Sequence, residues 1–594
     1  MDVDLIEKLT EGFDPPARRE VLEGLRYGFP LGVVREPPPR SWAPSFMDDA
    51  SRARITAHFG VETEAGRMLG PFTERPSGYF WGKTVSFPVA EVPKGDGKFR
   101  TIPNLSYDFE NSVNAAIPAE AGYTTYPSFE RVAAELTAVG LDDVWLAMYD
   151  IQDAFRNLRI NPGDWVYQVV SWQRTAGGAK EWYIDLSLPF GIRVGPVVFN
   201  RFAAALDFIY QQRCLTSAQR EIIGRLIRYL DDHLILAKGK EQTQALLDAL
   251  LALMAELNIP VKASKTIPAV EALKFIGFWW EPRSDRVTLD RERWVKLEAE
   301  MHRINGALDL GEVSVADVRS LSGVLCWAAK VVQYGMVYVR ELFAVVADLG
   351  MSSASQQACR NTFFTDAGYI QRIRIDIGWW LDLCRDYRFK AGALFGRRIS
   401  QVCLSIETAV NPSLEIFSDM SGDGLGGYWR GTRMWCYAPI PAHITLDKEL
   451  RHVKDFISSG HGEAAGILMC LLTFLPIWAA SHPERRLGEP ILLHSDSAVA
   501  VSVWKTQRGR ERMLPYLRVI ERLCAFYNVV LQLRFVRGVD NKIADTISRL
   551  QDSAMCAELS AIFPAVKMCA RLRAVFPEGN EEPQPQISPD LLFL

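Results

Sequence analysis

Residues 228–237 read RYLDDHLILA, and the fold turns on how this run is placed. Two adjacent carboxylates, Asp231 and Asp232, follow an apolar-aromatic run (Leu226, Ile227, Tyr229, Leu230) and precede another (Leu234, Ile235, Leu236). Acids between two strand-like runs fit a hairpin tip that displays both side chains. Two like charges held together are costly unless a cation neutralises them. Hard divalent cations such as Mg²⁺ suit that task, held by one or two carboxylates plus substrate phosphates. An isolated Asp-Asp pair is more often a solvated turn, so its neighbours decide.

A second acidic run lies upstream, where residues 145–160 read WLAMYDIQDAFRNLRI. Trp145, Ala147 and Tyr149 alternate with Leu146, Met148 and Asp150, the period of a strand that ends on an acid. Between the two acidic runs, residues 187–202 (SLPFGIRVGPVVFNRF) predict a Pro/Gly-rich loop entering an apolar helix. With Asp150 and the Asp231/Asp232 pair on neighbouring strands, three carboxylates make a platform for two Mg²⁺ ions about 3.5–4 Å apart, with Mn²⁺ as the alternative. That arrangement suits in-line phosphoryl transfer.

The ordered motifs resemble those of reverse transcriptases: PKGDGKFRTIPNLSYDFENSVN (93–114), YDIQDAF (149–155), LPFGIRVGPVVF (188–199), YLDD (229–232), ASKT (263–266) and FIGFWW (275–280). Within long-terminal-repeat retroelements the chain resembles the gypsy-type and, more closely, the DIRS-type, through GRMLGPF (66–72), the LSYD…SVN run and LSGVLCWAAKVVQYG (321–335). The resemblance implies an α/β (α+β) multidomain chain: a right-hand polymerase of fingers, palm and thumb, then a connection and a ribonuclease H-like domain. It implies that Lys94 and Arg100 meet the incoming triphosphate and that Lys265 serves the departing pyrophosphate. Phe190 and Gly191 would floor the nascent base pair. Phe155, five residues after Asp150, would set its ring against the sugar and exclude a 2′-hydroxyl. Phe278, Trp279 and Trp280 are expected to pack a palm–thumb junction.

Four further acids sit at strand ends and helix starts: Asp419 in LEIFSDMSGDGLGGYW (414–429), Glu463 in GHGEAAGILMCLL (460–472), Asp496 in ILLHSDSAVAVSVW (491–504) and Asp545 in NKIADTISRL (541–550). Their order, Asp-Glu-Asp-Asp, resembles ribonuclease H, which implies a second two-metal site with water as nucleophile. Glu449 rivals Glu463, which is preferred because an uninterrupted apolar helix follows it. Val539 stands where many ribonucleases H carry an accessory His. Lys505, Arg508, Arg510 and Arg512 are a candidate basic handle for a hybrid.

The expected segments are 1–80, an N-terminal extension without chemistry; 81–285, fingers and palm; 286–346, thumb; 347–412, connection; 413–552, ribonuclease H-like; and 553–594, a tail expected to be partly disordered. In the thumb, Ser314 with Asp317 offers a helix N-cap. The chain has 594 residues, 48% hydrophobic, and a net charge of −4 from 67 basic and 71 acidic side chains. Phosphate binding needs a local basic groove and not a basic total, so the small acidic excess does not exclude nucleic acid. Ten scattered cysteines without a CxxC read as reduced thiols, in a cytoplasmic or nuclear protein. Residues 464–483 lack Asp, Glu, Lys and Arg but read as a core helix and not a membrane span. The expected partners are an RNA template, a DNA primer, an RNA–DNA hybrid and deoxynucleoside triphosphates, with no membrane and a homo-oligomer allowed. Two rival readings are a decayed copy that binds nucleic acid without catalysis, and a live polymerase with a vestigial ribonuclease H.

Overall fold

A computed structural model describes residues 1–39, 47–76, 84–95, 98–216, 223–332, 335–390, 396–403, 412–432, 434–439, 459–483, 489–506, 514–527 and 529–550. Two compact units divide the chain. The first is Met1–Val287 with Arg398–Cys403; the second is Thr288–Arg397 with Leu404–Leu594. The expected thumb, connection and ribonuclease H-like segments therefore fall in the second unit, apart from the first two thumb residues and Arg398–Cys403 within the connection.

The first unit is organised on a four-stranded antiparallel sheet. Its order is Arg225–Tyr229, Asp232–Lys238, Val144–Asp150 and Ile267–Val270. The two central strands are buried on both faces, with Leu146, Ala147, Tyr149, Leu234, Ile235 and Leu236 at 1% exposure or less. Both therefore read as near-continuous apolar runs rather than clean alternations. The Lys240–Glu256 helix packs on this sheet. The Gly195–Arg213 helix carries Pro196 in its first turn, which its fixed φ suits. Its Tyr210 lies edge-on to Tyr149 of the central strand. A three-stranded sheet (Met68–Phe72, Glu181–Asp185, Val169–Trp172), a hairpin (Val89–Gly95 with Lys98–Pro103) and the paired strands Leu273–Phe275 and Phe278–Glu281 also belong to this unit.

Phe278 and Trp280 are each 1% exposed and pack on Phe129 of the Phe129–Val139 helix, at ring centroid distances of 4.8 and 5.1 Å. Trp279, between them, is 40% exposed. The aromatic triplet thus anchors a helix of the first unit, because strand alternation sends its first and third rings to one face.

In the second unit, helices Arg291–Ala307 and Val315–Ala328 follow one another. Ser314 and Asp317 close a reciprocal capping box at the start of the latter, as the sequence predicts. Further on lies a five-stranded sheet in the order Trp435–Pro439, Gly424–Trp429, Glu415–Met420, Glu489–Ser495, Val529–Phe535. The first three strands pair antiparallel and the last two join in parallel. Gly462–Ser481 is long and apolar enough to cross a membrane. Here its Leu468, Phe474, Leu475 and Trp478 are fully buried, and the helix packs on two strands of the sheet.

Candidate active sites

The first site is built by hairpin register. Asp150, last residue of its strand, lies directly opposite Asp232, first residue of the next. Tyr229 pairs with Asp232, leaving Leu230 and Asp231 as a two-residue turn. Leu230 adopts φ +53°, a left-handed conformation that costs a non-glycine residue about 1–2 kcal/mol. Strain of this kind gathers where a turn must aim a functional group. Beneath the turn, Tyr149 stacks on the fully buried His233 at 4.6 Å, and His233 Nδ1 lies 2.9 Å from the Asp231 carbonyl oxygen. The Ile151 N–H donates to that same oxygen.

Asp150 is 2% exposed. Burial, reinforced by the neighbouring Asp150 charge, raises the pKa of Asp231. Burial pushes Asp232 up to about 6, with Lys265 opposing and the Asp150 and Asp231 carboxylates adding to the rise. Lys265 stands in a short 3-10 turn, Ala263–Lys265. Its Nζ donates to Asp150 Oδ2 and lies 3.7 Å from Asp232 Oδ1. Burial disfavours the ammonium, but the Asp150 hydrogen bond and the surrounding carboxylates win and its pKa rises. One cation thus already holds two of the three acids together.

Around this cluster the structure gathers most of the residues singled out for substrate. Phe155 sits in the 3-10 turn Ala154–Asn157 at 9% exposure, stacked on Phe199 at 5.3 Å and tilted against Phe190 at 5.6 Å. The Arg100 guanidinium lies 4.9 Å from the Phe190 ring centroid. Gly191 takes φ +86°, which only glycine adopts without strain. Its carbonyl accepts from Asn114 Nδ2 at 2.8 Å, and Asn114 Oδ1 accepts from the Arg193 N–H at 2.8 Å. Asn114, at the end of the LSYD…SVN run, therefore pins the loop that carries Phe190. Composition alone offered no sign of that role. Lys94 belongs to the Val89–Gly95 strand, but its side chain lies outside the described residues.

The second site lies at one end of the five-stranded sheet. Asp419 is on the Glu415–Met420 strand, Glu463 is in the first turns of the Ser459–Ser481 helix, and Asp496 directly follows the Glu489–Ser495 strand. One carboxylate oxygen from each lies within 4.8 Å of the other two. Asp419 and Glu463 are each 4% exposed. Ser548 Oγ donates to Asp419 Oδ2 at 2.8 Å and Ser495 Oγ to Glu463 Oε2 at 3.2 Å. Burial lifts Asp419 to about 6, with Ser548 opposing and Asp496 and Asp545 adding. Glu463 reaches about 9 through burial and the charges of Asp419 and Asp496. Burial raises Asp496 as well.

Asp545 stands apart from this triad. It lies on the Lys542–Ser548 helix, close enough to raise the pKa of Asp419 and Asp496, but its Oδ1 takes two hydrogen bonds from Arg549 at 2.8 and 2.7 Å. The helix reaches the sheet because Gly426 has no side chain: a Cβ there would lie 2.4 Å from the Ser548 nitrogen. Val539 is 66% exposed. Glu449, Arg508, Arg510 and Arg512 lie outside the described residues, as does the tail from 551. Lys505 is exposed near the end of the Ala498–Thr506 helix.

Against known proteins, residues 92–280 match the family model described as reverse transcriptase (RNA-dependent DNA polymerase). No curated protein matches the sequence. Similar solved structures include the foamy viral protease-reverse transcriptase dRH in complex with double-stranded DNA, at 14% identity and TM-score 0.43, covering 90% of this chain and 82% of that one. The foamy viral protease-reverse transcriptase with double-stranded DNA is 13% identical, at TM-score 0.41, covering 90% and 97%. The same protein with an RNA/DNA hybrid is 12% identical, at TM-score 0.43, covering 90% and 63%. Over residues 92–280, then, this chain carries a reverse transcriptase domain.

Proposed function

We propose that the chain is an RNA- and DNA-templated DNA polymerase with an attached RNA–DNA hybrid ribonuclease H, serving replication of a long-terminal-repeat-type retroelement of gypsy-like, more closely DIRS-like, character. The observation that carries the reading is the register of Asp150 against Asp232, with Asp231 in the turn between strands and Lys265 over both acids. The donor chemistry fits hard cations. In each site buried carboxylates crowd one another and their pKa values rise, and a divalent ion would relieve that repulsion. Asp150, Asp231 and Asp232 would hold Mg²⁺ or Mn²⁺ in one site, and Asp419, Glu463 and Asp496 in the other, with Asp545 joining after release from Arg549. Two such ions per site supply Lewis acidity at the phosphate and activation of the attacking oxygen.

The chain's own residues do the rest. Arg100, beside Phe190, offers positive charge to a triphosphate. Lys265 Nζ, at the acids, is placed to give a proton to departing pyrophosphate. The Phe155 ring, set against the sugar of an incoming nucleotide, would exclude a 2′-hydroxyl. RNA template, DNA primer, hybrid and deoxynucleoside triphosphates are the implied partners.

A second reading keeps the polymerase and makes the ribonuclease H vestigial, favoured by the Arg549 grip on Asp545 and by Val539. One assay decides between them: purified chain on a labelled RNA template with a DNA primer, Mg²⁺ and Mn²⁺ compared, extension and template cleavage read on one gel. Extension with cleavage supports the main reading, extension alone the second, and neither refutes both.

A further inference from the structure

An ionic chain with a buried centre, Glu62, Arg156 and Asp185, adjoins the candidate sugar-selecting ring. Arg156, next to Phe155 in the same 3-10 turn, is 9% exposed. Its Nη2 and Nε donate to Glu62 Oε2 at 2.6 and 3.0 Å, and its Nη1 to Asp185 Oδ2 at 2.7 Å. Glu62 is 4% exposed and also receives a two-pronged grip from Arg67, at 2.7 and 2.9 Å. Arg67 in turn lies 3.6 Å from Asp153, which precedes the turn with φ +51°. Five alternating charges, Asp153, Arg67, Glu62, Arg156 and Asp185, thus bracket Phe155 from both sides. Asp185 further accepts the Ser187 N–H at 3.1 Å, at the root of the loop that carries Phe190. A cavity of about 500 Å³ is lined by Glu62, Asp153, Arg156, Asp185, Arg100 and Phe190 together.

We propose that Glu62, on the Asp49–Glu64 helix of the N-terminal segment, is a positioning residue for sugar selection: through Arg156 it fixes the turn that aims the Phe155 ring. The physical ground is twofold. Arg67 engages both Glu62 oxygens and so fixes the direction of that carboxylate, and two Arg156 donors converge on one of those oxygens while a third holds Asp185. A buried charge left without its partner forces its neighbours to move.

The inference rests on Phe155 acting on the sugar, and a double-mutant cycle separates the two claims. The ratio of kcat/KM for deoxynucleotide over ribonucleotide is measured for wild type, Glu62→Gln, Phe155→Val and the double variant, with thermal unfolding as a check on folding. Glu62→Gln should lower the ratio about tenfold, chiefly by lowering ribonucleotide KM with deoxynucleotide kcat little changed, and should add nothing once Phe155 is Val. An unchanged ratio in Phe155→Val overturns the sugar reading itself. A lowered ratio in Phe155→Val, with Glu62→Gln either silent or contributing its full factor in both backgrounds, overturns the positioning role alone. Should Glu62→Gln fail to fold, Asp185→Asn loosens the same guanidinium from the other side, with the same outcomes deciding.

Discussion

Replacing Phe155 by valine asks the ring to show which of two duties it performs. At 9% exposure it belongs to the core, stacked on Phe199, and only its uncovered edge can meet a nucleotide. Phe199 behind it is fully buried, and a Cβ on Gly195 would already lie 3.2 Å from the ring. The ring therefore cannot retreat from an added hydroxyl. Forcing an extra group into such a site costs ~1–3 kcal/mol, which at ~1.36 kcal/mol per tenfold is a discrimination of roughly 5- to 150-fold. The absence of space for retreat argues for the upper end. Valine should abolish most of it, measured as relative kcat/KM for ribo- and deoxynucleotide on one primer–template. The change also removes roughly four buried carbons, a transfer cost of ~3 kcal/mol at ~0.8 kcal/mol per methylene, to which any cavity left behind adds. Assays thus belong well below the variant's unfolding temperature. A folded Phe155→Val enzyme with unaltered sugar preference would refute the reasoning and leave the ring as core packing only.

Other outcomes follow from the two separate acid sites and from buried charge. Asp231→Asn should abolish primer extension and spare template cleavage, and Asp496→Asn should do the reverse; a folded variant that loses both activities contradicts the two-site assignment. Affinity for an RNA–DNA hybrid should fall steeply with salt despite the net charge of −4. Each neutralised phosphate contributes about −0.9 to the log–log slope for duplex DNA, and a flat titration would speak against a basic groove. In the second unit, Asp376 is fully buried, 2.9 Å from Arg518, and accepts the Glu341 N–H at 2.8 Å. Asp376→Ala should cost ~3–5 kcal/mol by stranding a buried guanidinium, while Asp376→Ala with Arg518→Met should recover much of it. Chemical denaturation checks both, and equal losses in the two variants would deny the pairing its role.

The parts of the sites that could be read in the sequence are those set by short-range geometry. Strand period and a two-residue turn place Asp150, Asp231 and Asp232, because register follows from local pairing. Glu463 was legible as a single charge opening an apolar helix, and the helix delivers it to Asp419 and Asp496. The Arg549 hold on Asp545 is local as well, an i,i+4 pair at the end of one helix. Asp545 is thus placed beside the triad and held out of it by its own neighbour.

What escaped was long-range. The N-terminal segment is expected from its sequence to carry no chemistry, and in helix Asp49–Glu64 the buried face mixes Ile55 and Phe59 with Arg52 and Glu62, so its charges mask the apolar pattern that would set Glu62 apart. Its meaning comes from Arg156 and Asp185, which arrive from a different turn and a different strand. An acid in that position is a solvated surface group until the fold brings a buried guanidinium against it. The same argument explains Asn114, whose two hydrogen bonds reach residues 191 and 193. Local pattern thus locates the acids proposed to act on phosphate, since those sit at strand ends and turns, and passes over Glu62 and Asn114, since their partners are distant in sequence. For this chain the consequence is specific. If sugar choice depends on the bracket around Phe155, part of the polymerase's selectivity is written in residues 62–67, upstream of the segment that the family model matches.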